Sequence, residues 1–449
     1  MLFCRESLRF LMSLVGMRGL VAGASGLASL FRRGRFYCCS RGGGMGTRAK
    51  LAKRALETDM PVMVQIQELM RGTKEAISLA QGVVYWPPPE QALEKVKELV
   101  WDPSISKYGA DEGLPELRQA LIEKLRRENN LNKSAVMVTA GANQAFVNVV
   151  LTLCDPGDSV VMFAPYYFNA YMSFQMTGIT NILVGPTDPK TLQPDAGKSF
   201  VTCFAKVKQP LEKTLSQDPI PKLVTVVNPG NPSGAYIPEP LLVKLSDLCK
   251  RAGVWFVVDN TYEYFMYDGM KHSCIEDNHI VNLFSFSKAY GMMGWRVGYI
   301  AYPEAVDGLA AQLLKVQDNI PICASIISQH LALRSLEVGS EWVRDRVQNL
   351  VRSRDILTKA LAPLGKENVR GGQGAIYLWA KLPEKFSDDY EIVRWLVRKH
   401  HVVIIPGSAS GSPGYVRISF GGLKEADCEV AAYRLKKGLE ELVKDGMVE

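Results

Sequence analysis

Apolar runs and stretches of helical periodicity alternate along the chain from about residue 90. Within 113–129, Leu114, Leu117, Leu121 and Leu125 recur at the spacing of one helix face, with charged residues on the other side. Apolar runs rich in β-branched residues predict strands, and they lie at 134–141, 158–165, 222–234, 254–260 and 280–288. Continuous apolar strands separated by helices are typical of a mostly parallel sheet that is buried on both faces, so the pattern predicts an α/β fold.

The pattern changes after about residue 305. A long helical region at 307–362 is followed by short apolar segments at 374–383, 402–408 and 415–421, with a helical segment at 389–400 and another at the C-terminus. This mixture predicts a smaller α+β domain. The sequence is therefore divided into an extension (1–44), an N-terminal segment that packs with the small domain (45–80), a large domain with the mostly parallel sheet (81–306) and a small C-terminal domain (307–449).

The net charge of +7 is concentrated in the extension. Residues 1–44 contain seven arginines and one glutamate and therefore carry +6, which leaves +1 for the other 405 residues. A phosphate backbone requires a concentrated basic surface, so no nucleic-acid partner is expected. The chain also lacks an uninterrupted apolar stretch long enough to span a bilayer, so no membrane partner is expected.

The extension allows two interpretations. Its Arg- and Ser-rich, acid-poor composition is typical of transit peptides, which would send the protein to a mitochondrion or plastid. Met45 is also a plausible start, and we favour this interpretation and a cytoplasmic protein. The nine cysteines form no C-x-x-C pair or ligand-like cluster, which predicts a reducing compartment and no metal site.

Polar or small residues follow each predicted strand. They lie at 141–143, 165–167, 228–234, 259–262 and 285–288. Because ligands bind at the carboxyl ends of the strands in an open α/β sheet, we expect these segments to form one site.

Lys288 and Arg296 are the most informative of these polar residues. A lysine beside a buried strand is costly to desolvate, and desolvation lowers its pKa and makes it a good nucleophile toward a carbonyl. Ser285 and Ser287 offer hydroxyl groups nearby, and Arg296 could hold a phosphate dianion. The pattern favours an aldehyde cofactor that carries a phosphate; an ordinary surface lysine is the alternative.

The other candidates each have a structural alternative. Asp259 could hold a protonated ring nitrogen or cap a helix. The turn at 141–143 could bind phosphate through backbone N–H groups or only join two elements. Tyr167 and Tyr262 could contact a ring or pack in the core, and Arg417 could grip a carboxylate or form a structural salt bridge.

Taken together, these motifs resemble a family. The segments "YGADEGLPELR", "NPGNPSG", "VVDNTY", "SFSKAYGMMGWRVGY" and "YVRISF" occur in the order found in fold-type I, class I pyridoxal-phosphate aminotransferases, and the resemblance covers about 50–445. The segments "QGVVYWPPPE" and "TAGANQAF" resemble plant aromatic aminotransferases. The resemblance implies the fold-type I architecture, a pyridoxal 5'-phosphate cofactor, amino-acid and 2-oxo-acid substrates and a homodimer.

The resemblance also implies a role for each site residue. Lys288 binds the cofactor covalently and moves the substrate proton, Asp259 pairs with the ring nitrogen, and Arg417 holds the substrate carboxylate. The remaining cofactor contacts are the ring oxygen (Tyr262, Asn231), the ring face (Tyr167), the phosphate (Ala142, Asn143, Ser285, Arg296) and the phosphate of a neighbouring subunit (Tyr108). Gly82 lines the substrate side through its backbone, and Asn231 also lies near the substrate.

The substrate class depends on the side-chain pocket. Asn143 replaces a lysine that is common in aspartate-using relatives, whereas Val83, Val84, Tyr85 and Trp86 follow Gly82, and Tyr377 lies in "GAIYLW". Apolar walls predict an aromatic amino acid or methionine as donor and an aromatic 2-oxo acid, such as phenylpyruvate, as acceptor. Core packing remains an alternative for Tyr85 and Trp86. The functional alternatives are an aspartate-type or broad-specificity aminotransferase, a carbon–sulfur lyase and an inactive binding protein.

Overall fold

The computed structural model describes residues 50–73, 75–196, 220–386 and 388–448. The extension predicted at 1–44 lies outside these residues. The strands are numbered in chain order: β1 (Ile77–Ser78), β2 (Ser134–Thr139), β3 (Ser159–Phe163), β4 (Asn181–Gly185), β5 (Leu223–Val227), β6 (Trp255–Asp259), β7 (Ile280–Ser285), β8 (Gly298–Pro303), β9 (Val369–Gly371), β10 (Tyr377–Lys381), β11 (Val402–Val403), β12 (Ile405–Pro406) and β13 (Tyr415–Ser419).

The helices are numbered in the same way: α1 (Lys53–Glu57), α2 (Val62–Arg71), α3 (Glu90–Leu99), α4 (Pro115–Asn129), α5 (Ala142–Leu153), α6 (Phe168–Thr177), α7 (Glu239–Ala252), α8 (Leu309–Asn319), α9 (Ile326–Val338), α10 (Ser340–Ala360), α11 (Asp389–His400) and α12 (Glu425–Lys444). The helix predicted at 113–129 is α4, and its leucines Leu117, Leu121 and Leu125 are buried. The helix at 389–400 begins and ends as predicted, and the region predicted as helical at 307–362 contains α8, α9 and α10.

The largest sheet has seven strands in the order β2-β8-β7-β6-β5-β3-β4. All neighbours pair in parallel except β8, which is antiparallel to both β2 and β7. Both faces of the sheet are covered, since Val160 and Met162 pack in one apolar cluster whereas Val161 and Phe163 pack in another. The prediction of an α/β fold with a mostly parallel, doubly covered sheet is confirmed.

A second sheet has the antiparallel order β12-β13-β10-β9, and β1 pairs in parallel with β11. This sheet lies in the region predicted as the smaller α+β domain. Leu51–Glu449 forms one compact unit. The domain boundaries at residues 80 and 306 remain predictions. Among the helices of the described residues, none combines the length and the apolar character needed to cross a bilayer.

Candidate active site

The carboxyl ends of the strands meet at one edge of the large sheet. Strands β3, β5, β6 and β7 run in parallel, and β2 points the same way because both β2 and β7 are antiparallel to β8. A cavity of about 340 Å³ opens at this edge, a size typical of small-molecule sites. It is lined by the predicted residues Gly82, Ala142, Asn143, Tyr167, Asn231, Asp259, Tyr262, Ser285, Lys288, Arg296 and Arg417.

Lys288 lies in the turn that follows β7, and its side chain faces this cavity. Burial, and then the nearby charges of Arg296 and Arg417, lower the pKa of Lys288 to about 8. No residue in the described ranges accepts a hydrogen bond or forms an ion pair with its Nζ. The amine is therefore available to a ligand, and a useful fraction of it is neutral near pH 7.

Arg296 faces the start of α5. A Cβ atom on Gly141 would overlap the Arg296 guanidinium, so the helix start and the arginine can adjoin only because residue 141 is glycine. Gly141 has a φ of 85°, which favours glycine as well. Arg296 Nη1 donates to Met293 O at 2.8 Å and approaches Ser287 Oγ at 3.4 Å. The helix-start N–H groups, the two serines and an exposed guanidinium fit a phosphate dianion.

Asp259 ends β6 in a buried environment. Thr261 N–H donates to its Oδ1 at 2.9 Å, and burial raises the pKa of Asp259 above its usual range. A cation placed beside this carboxyl group would favour its ionised form. Asp259 therefore suits a ring nitrogen that carries a proton.

Two phenols line the cavity near Asp259. The Tyr262 and Tyr377 hydroxyl groups form a hydrogen bond, and burial raises the pKa of both groups. Tyr167 lies just before α6, where Asn169 Nδ2 donates to its hydroxyl at 3.1 Å. Burial raises the pKa of Tyr167 to about 12, so all three phenols remain neutral at physiological pH.

Arg417 is 2% exposed and faces the cavity from β13. It donates to Asn231 Oδ1 at 2.8 Å and to Ala80 O at 2.6 Å. Its Nε lacks a hydrogen-bond partner, and no carboxylate of residues 50–448 that the structure describes forms an ion pair with it. A buried guanidinium without a counter-charge is costly, so the site is suited to an anionic ligand such as a carboxylate.

Three predicted wall residues do not line the cavity. Val84 and Trp86 are 4% exposed and belong to the core, where Trp86 Nε1 donates to Ala289 O and its ring stacks on Phe265. Tyr85 packs edge-on against Trp86. Side chains alternate along an extended segment, but here Trp86 fills the core and Tyr85, which is partly buried, packs against it. The structure therefore favours the core-packing alternative for Tyr85 and Trp86, and the pocket role predicted for Val84 is wrong. Val83 and Tyr377 do line the cavity.

Tyr108 also lies apart from the cavity and is 81% exposed. The sequence did not indicate the contributions of Met63 on α2 and of Phe168, whose ring lies 5.7 Å from the Arg417 guanidinium carbon. Both residues look like ordinary core positions in a helical pattern. The hydrogen bond between Tyr262 and Tyr377 joins residues 115 positions apart and had no signal in the sequence.

The described residues contain no group of three or more His, Cys, Asp or Glu side chains that could hold a metal ion. The groups that face the cavity instead fit an aromatic aldehyde with a phosphate. Lys288 presents an amine after β7, the turn at 141–143 with Arg296 forms an anion cradle on the side of β2 and β8, and Asp259 ends β6 on the other side of β7.

Comparison with known proteins gives consistent matches. The sequence profile described as "Aminotransferase class I and II" matches residues 74–435. The chain is 66% identical over 406 residues to an aromatic aminotransferase (ISS1) of Arabidopsis thaliana, covering 90% of this chain and 100% of that protein. It is 30% identical over 352 residues to a probable aspartate/prephenate aminotransferase of Aquifex aeolicus, covering 75% of this chain and 84% of the relative.

A solved structure agrees with these matches. The aspartate aminotransferase of Thermus thermophilus, in a double-mutant form, superposes with a TM-score of 0.75 at 25% identity. The superposition covers 87% of this chain and 100% of that structure.

Proposed function

Because the chain belongs to the class I and II aminotransferases, we propose that its cavity transfers an amino group between an aromatic amino acid or methionine and an aromatic 2-oxo acid of the phenylpyruvate type. The family uses pyridoxal 5'-phosphate and has the fold-type I architecture. The observation that carries the proposal is the placement of a free lysine amine and a buried guanidinium without a counter-charge in one cavity.

The chemistry that the bound cofactor supplies is an electron sink for the bond that breaks at the substrate α-carbon. Lys288 would hold the cofactor aldehyde, and its neutral amine can later take a proton from the α-carbon and return it. Asp259 would keep the ring nitrogen protonated, because an ionised carboxylate beside a ring cation stabilises that charge.

The remaining cofactor contacts would orient the ring and its phosphate. Tyr262 can donate to the ring oxygen, and the Asn231 amide group can do the same because its Oδ1 already accepts from Arg417. Tyr167 would pack on the ring face. The phosphate would be held by Ala142, Asn143, Ser285 and Arg296.

Arg417 would hold the substrate α-carboxylate. Its two Nη atoms already donate hydrogen bonds to Asn231 and Ala80, so the guanidinium loses little side-chain entropy when a carboxylate binds. Gly82 would line the substrate side through its backbone, and the absence of a Cβ at this position leaves room for the Tyr377 hydroxyl.

The three cations that line the cavity leave no partner for an acidic substrate side chain, which favours an apolar one. Of the described residues that line the cavity, three are cationic, namely Lys288, Arg296 and Arg417, and each has a partner in the scheme above. No further cation of this subunit is left for an acidic side chain, whereas Met63 and Val83 offer apolar surface. Burying an apolar side chain stabilises the complex by about 1.5–3 kcal/mol. The relative of 66% identity is named an aromatic aminotransferase, which supports the same choice.

The test is a comparison of kcat/KM for phenylalanine, methionine and aspartate with 4-hydroxyphenylpyruvate as the common acceptor, because phenylalanine with phenylpyruvate would only regenerate the same pair. Phenylalanine or methionine should exceed aspartate, and Lys288→Ala should abolish turnover with every donor. A clear preference for aspartate would favour the aspartate-type alternative. Release of ammonia and a 2-oxo acid from a sulfur amino acid, without any acceptor, would favour the carbon–sulfur lyase.

We also propose a homodimer in which Tyr108 reaches the cofactor phosphate of the partner subunit. Tyr108 is exposed and does not line its own cavity, and Trp101, which lies nearby in the chain, is 88% exposed. Two exposed aromatic side chains in one segment favour a protein interface. Sedimentation equilibrium should give a dimer mass, and a monomer at micromolar concentration would contradict this proposal.

Cytoplasmic localisation remains a proposal as well. The cysteines at positions 154, 249, 274, 323 and 428 are free, as expected in a reducing compartment. Fluorescent fusions with and without residues 1–44 test it. A plastid or mitochondrial signal that requires those residues would identify them as a transit peptide instead.

A further inference from the structure

Tyr377 contacts both ends of the proposed site although it follows no strand of the large sheet. It lies on β10, is 1% exposed, and its hydroxyl forms a hydrogen bond with the Tyr262 hydroxyl. The two rings meet edge-on, with centroids 5.5 Å apart. Because both phenols are buried and neutral, one hydroxyl must accept from the other.

The orientation of this hydrogen bond matters for Tyr262. If Tyr377 donates, the Tyr262 proton remains free to point into the cavity. A hydroxyl that accepts one hydrogen bond is also a stronger donor in the next. The Tyr377 hydroxyl lies close to Gly82, where a Cβ would overlap it, so glycine at this position leaves room for the hydroxyl.

The ring of Tyr377 contacts Arg417. The guanidinium carbon lies 4.5 Å from the ring centroid, a cation–π distance. The strand register explains the contact: Trp379 pairs with Arg417, so Tyr377 is its diagonal neighbour on the same face of the sheet. The ring therefore packs against a guanidinium whose Nη atoms donate to Asn231 and Ala80 and whose Nε has no hydrogen-bond partner.

We propose that Tyr377 is a positioning residue that acts through two neighbours, with its hydroxyl orienting the Tyr262 hydroxyl and its ring orienting the Arg417 guanidinium. The inference rests on the proposed function for the groups that Tyr262 and Arg417 contact. Because the two actions use different parts of the side chain, they can be tested separately.

The hydroxyl is tested by a pH titration of the bound cofactor's absorbance in the wild type, Tyr377→Phe, Tyr262→Phe and the double variant. A donor to the ring oxygen stabilises its deprotonated form, so weakening that donor raises the titration midpoint. We expect Tyr377→Phe to raise the midpoint by about half a pH unit to one unit, and Tyr262→Phe to raise it further. In the Tyr262→Phe background, the second substitution should add almost nothing, because the hydroxyl then has no partner through which to act.

The ring is tested by the dissociation constant of 3-phenylpropionate, which carries the substrate carboxylate but has no amino group to react. Tyr377→Phe keeps the ring and should change this constant less than twofold, whereas Tyr377→Leu should raise it by about tenfold. If Tyr377→Leu does not bind cofactor, Tyr377→Met takes its place, because its longer, unbranched side chain adapts better to the space that the ring leaves.

The outcomes separate this inference from the proposed function. If Tyr262→Phe leaves the midpoint unchanged, or Arg417→Ala binds 3-phenylpropionate normally, the roles proposed for those two residues are wrong. If both controls respond but Tyr377→Phe does not move the midpoint, or moves it equally in the Tyr262→Phe background, Tyr377 does not act through Tyr262. Equal affinity for the carboxylate in the Phe and Leu variants would refute the role of the ring.

Discussion

The fraction of the Lys288 amine that is neutral near physiological pH should be much larger than that of an ordinary lysine. The cavity lowers the pKa of Lys288 to about 8. At pH 7 roughly a tenth of its amine is then neutral, compared with about 0.04% for a lysine with the reference pKa near 10.4, a difference of about two hundredfold. Because only the neutral amine attacks a carbonyl, the same factor applies to its reactivity at equal nucleophilicity.

The assay is reductive methylation of the cofactor-free protein with formaldehyde and cyanoborohydride between about pH 6 and pH 11, followed by peptide mass spectrometry. The rate at Lys288 should reach half its maximum near pH 8. A short peptide with one lysine and a blocked amino terminus, added to the same reaction, provides the reference and should reach half its maximum about two pH units higher.

A substitution separates the two causes of the lowered pKa. Arg296→Gln removes a like charge and should move the Lys288 midpoint upward, but only part of the way, because burial is the larger cause. Arg251→Gln, at an exposed position on α7 away from the cavity, is the matched control and should leave the midpoint unchanged. The reasoning is refuted if Lys288 of the wild type and the lysine of the reference peptide are methylated with the same pH profile.

Further predictions concern other parts of the molecule. Arg417→Ala should lower kcat/KM for every donor roughly 30-fold to several-thousand-fold, because all donors share the α-carboxylate. This factor corresponds to a loss of about 2–5 kcal/mol of transition-state stabilisation. An effect on a single donor would mean that Arg417 contacts the substrate side chain instead. In hybrid dimers of a Tyr108→Phe subunit and a subunit that lacks the cavity lysine, one site should be intact and the other doubly impaired, whereas a Tyr108 that serves its own site would leave both sites with one defect each. Lys124→Met should lower the free energy of unfolding by about 3–5 kcal/mol, since it leaves Glu263 buried without its partner at 2.5 Å. Urea unfolding measures this loss, and the control Lys97→Met, which removes an exposed ion pair, should cost at most about 1 kcal/mol; equal costs would contradict the desolvation argument.

The sequence predicted best those features that depend on local pattern. Asp259 and Lys288 follow apolar strands of a parallel sheet, and the topology of such a sheet is enough to bring its strand ends together. The pattern could not decide which face of a segment turns to the cavity, so a pocket role and core packing both stayed open for Trp86, which stacks in the core. Nor could it predict the hydrogen bond between Tyr262 and Tyr377, because this contact depends on how β10 docks against a distant loop.

The position of Arg296 depends on the one antiparallel strand of the large sheet. Between the end of β7 and the start of β8 lie only 12 residues, 286–297, and they contain a short 3₁₀ turn rather than a crossover α-helix. Without a longer helical crossover, β8 returns antiparallel to β7, so its amino end lies at the edge where the other strands have their carboxyl ends. Gly298 pairs there with both Thr139 and Ser285, and a Cβ on it would lie 2.5 Å from Ala142 N and 2.7 Å from Gly141 C, at the start of α5. Glycine at this position therefore lets the start of α5 pack directly against β8, and the reversed direction of β8 is what brings Arg296 against that helix start on the same edge as Lys288.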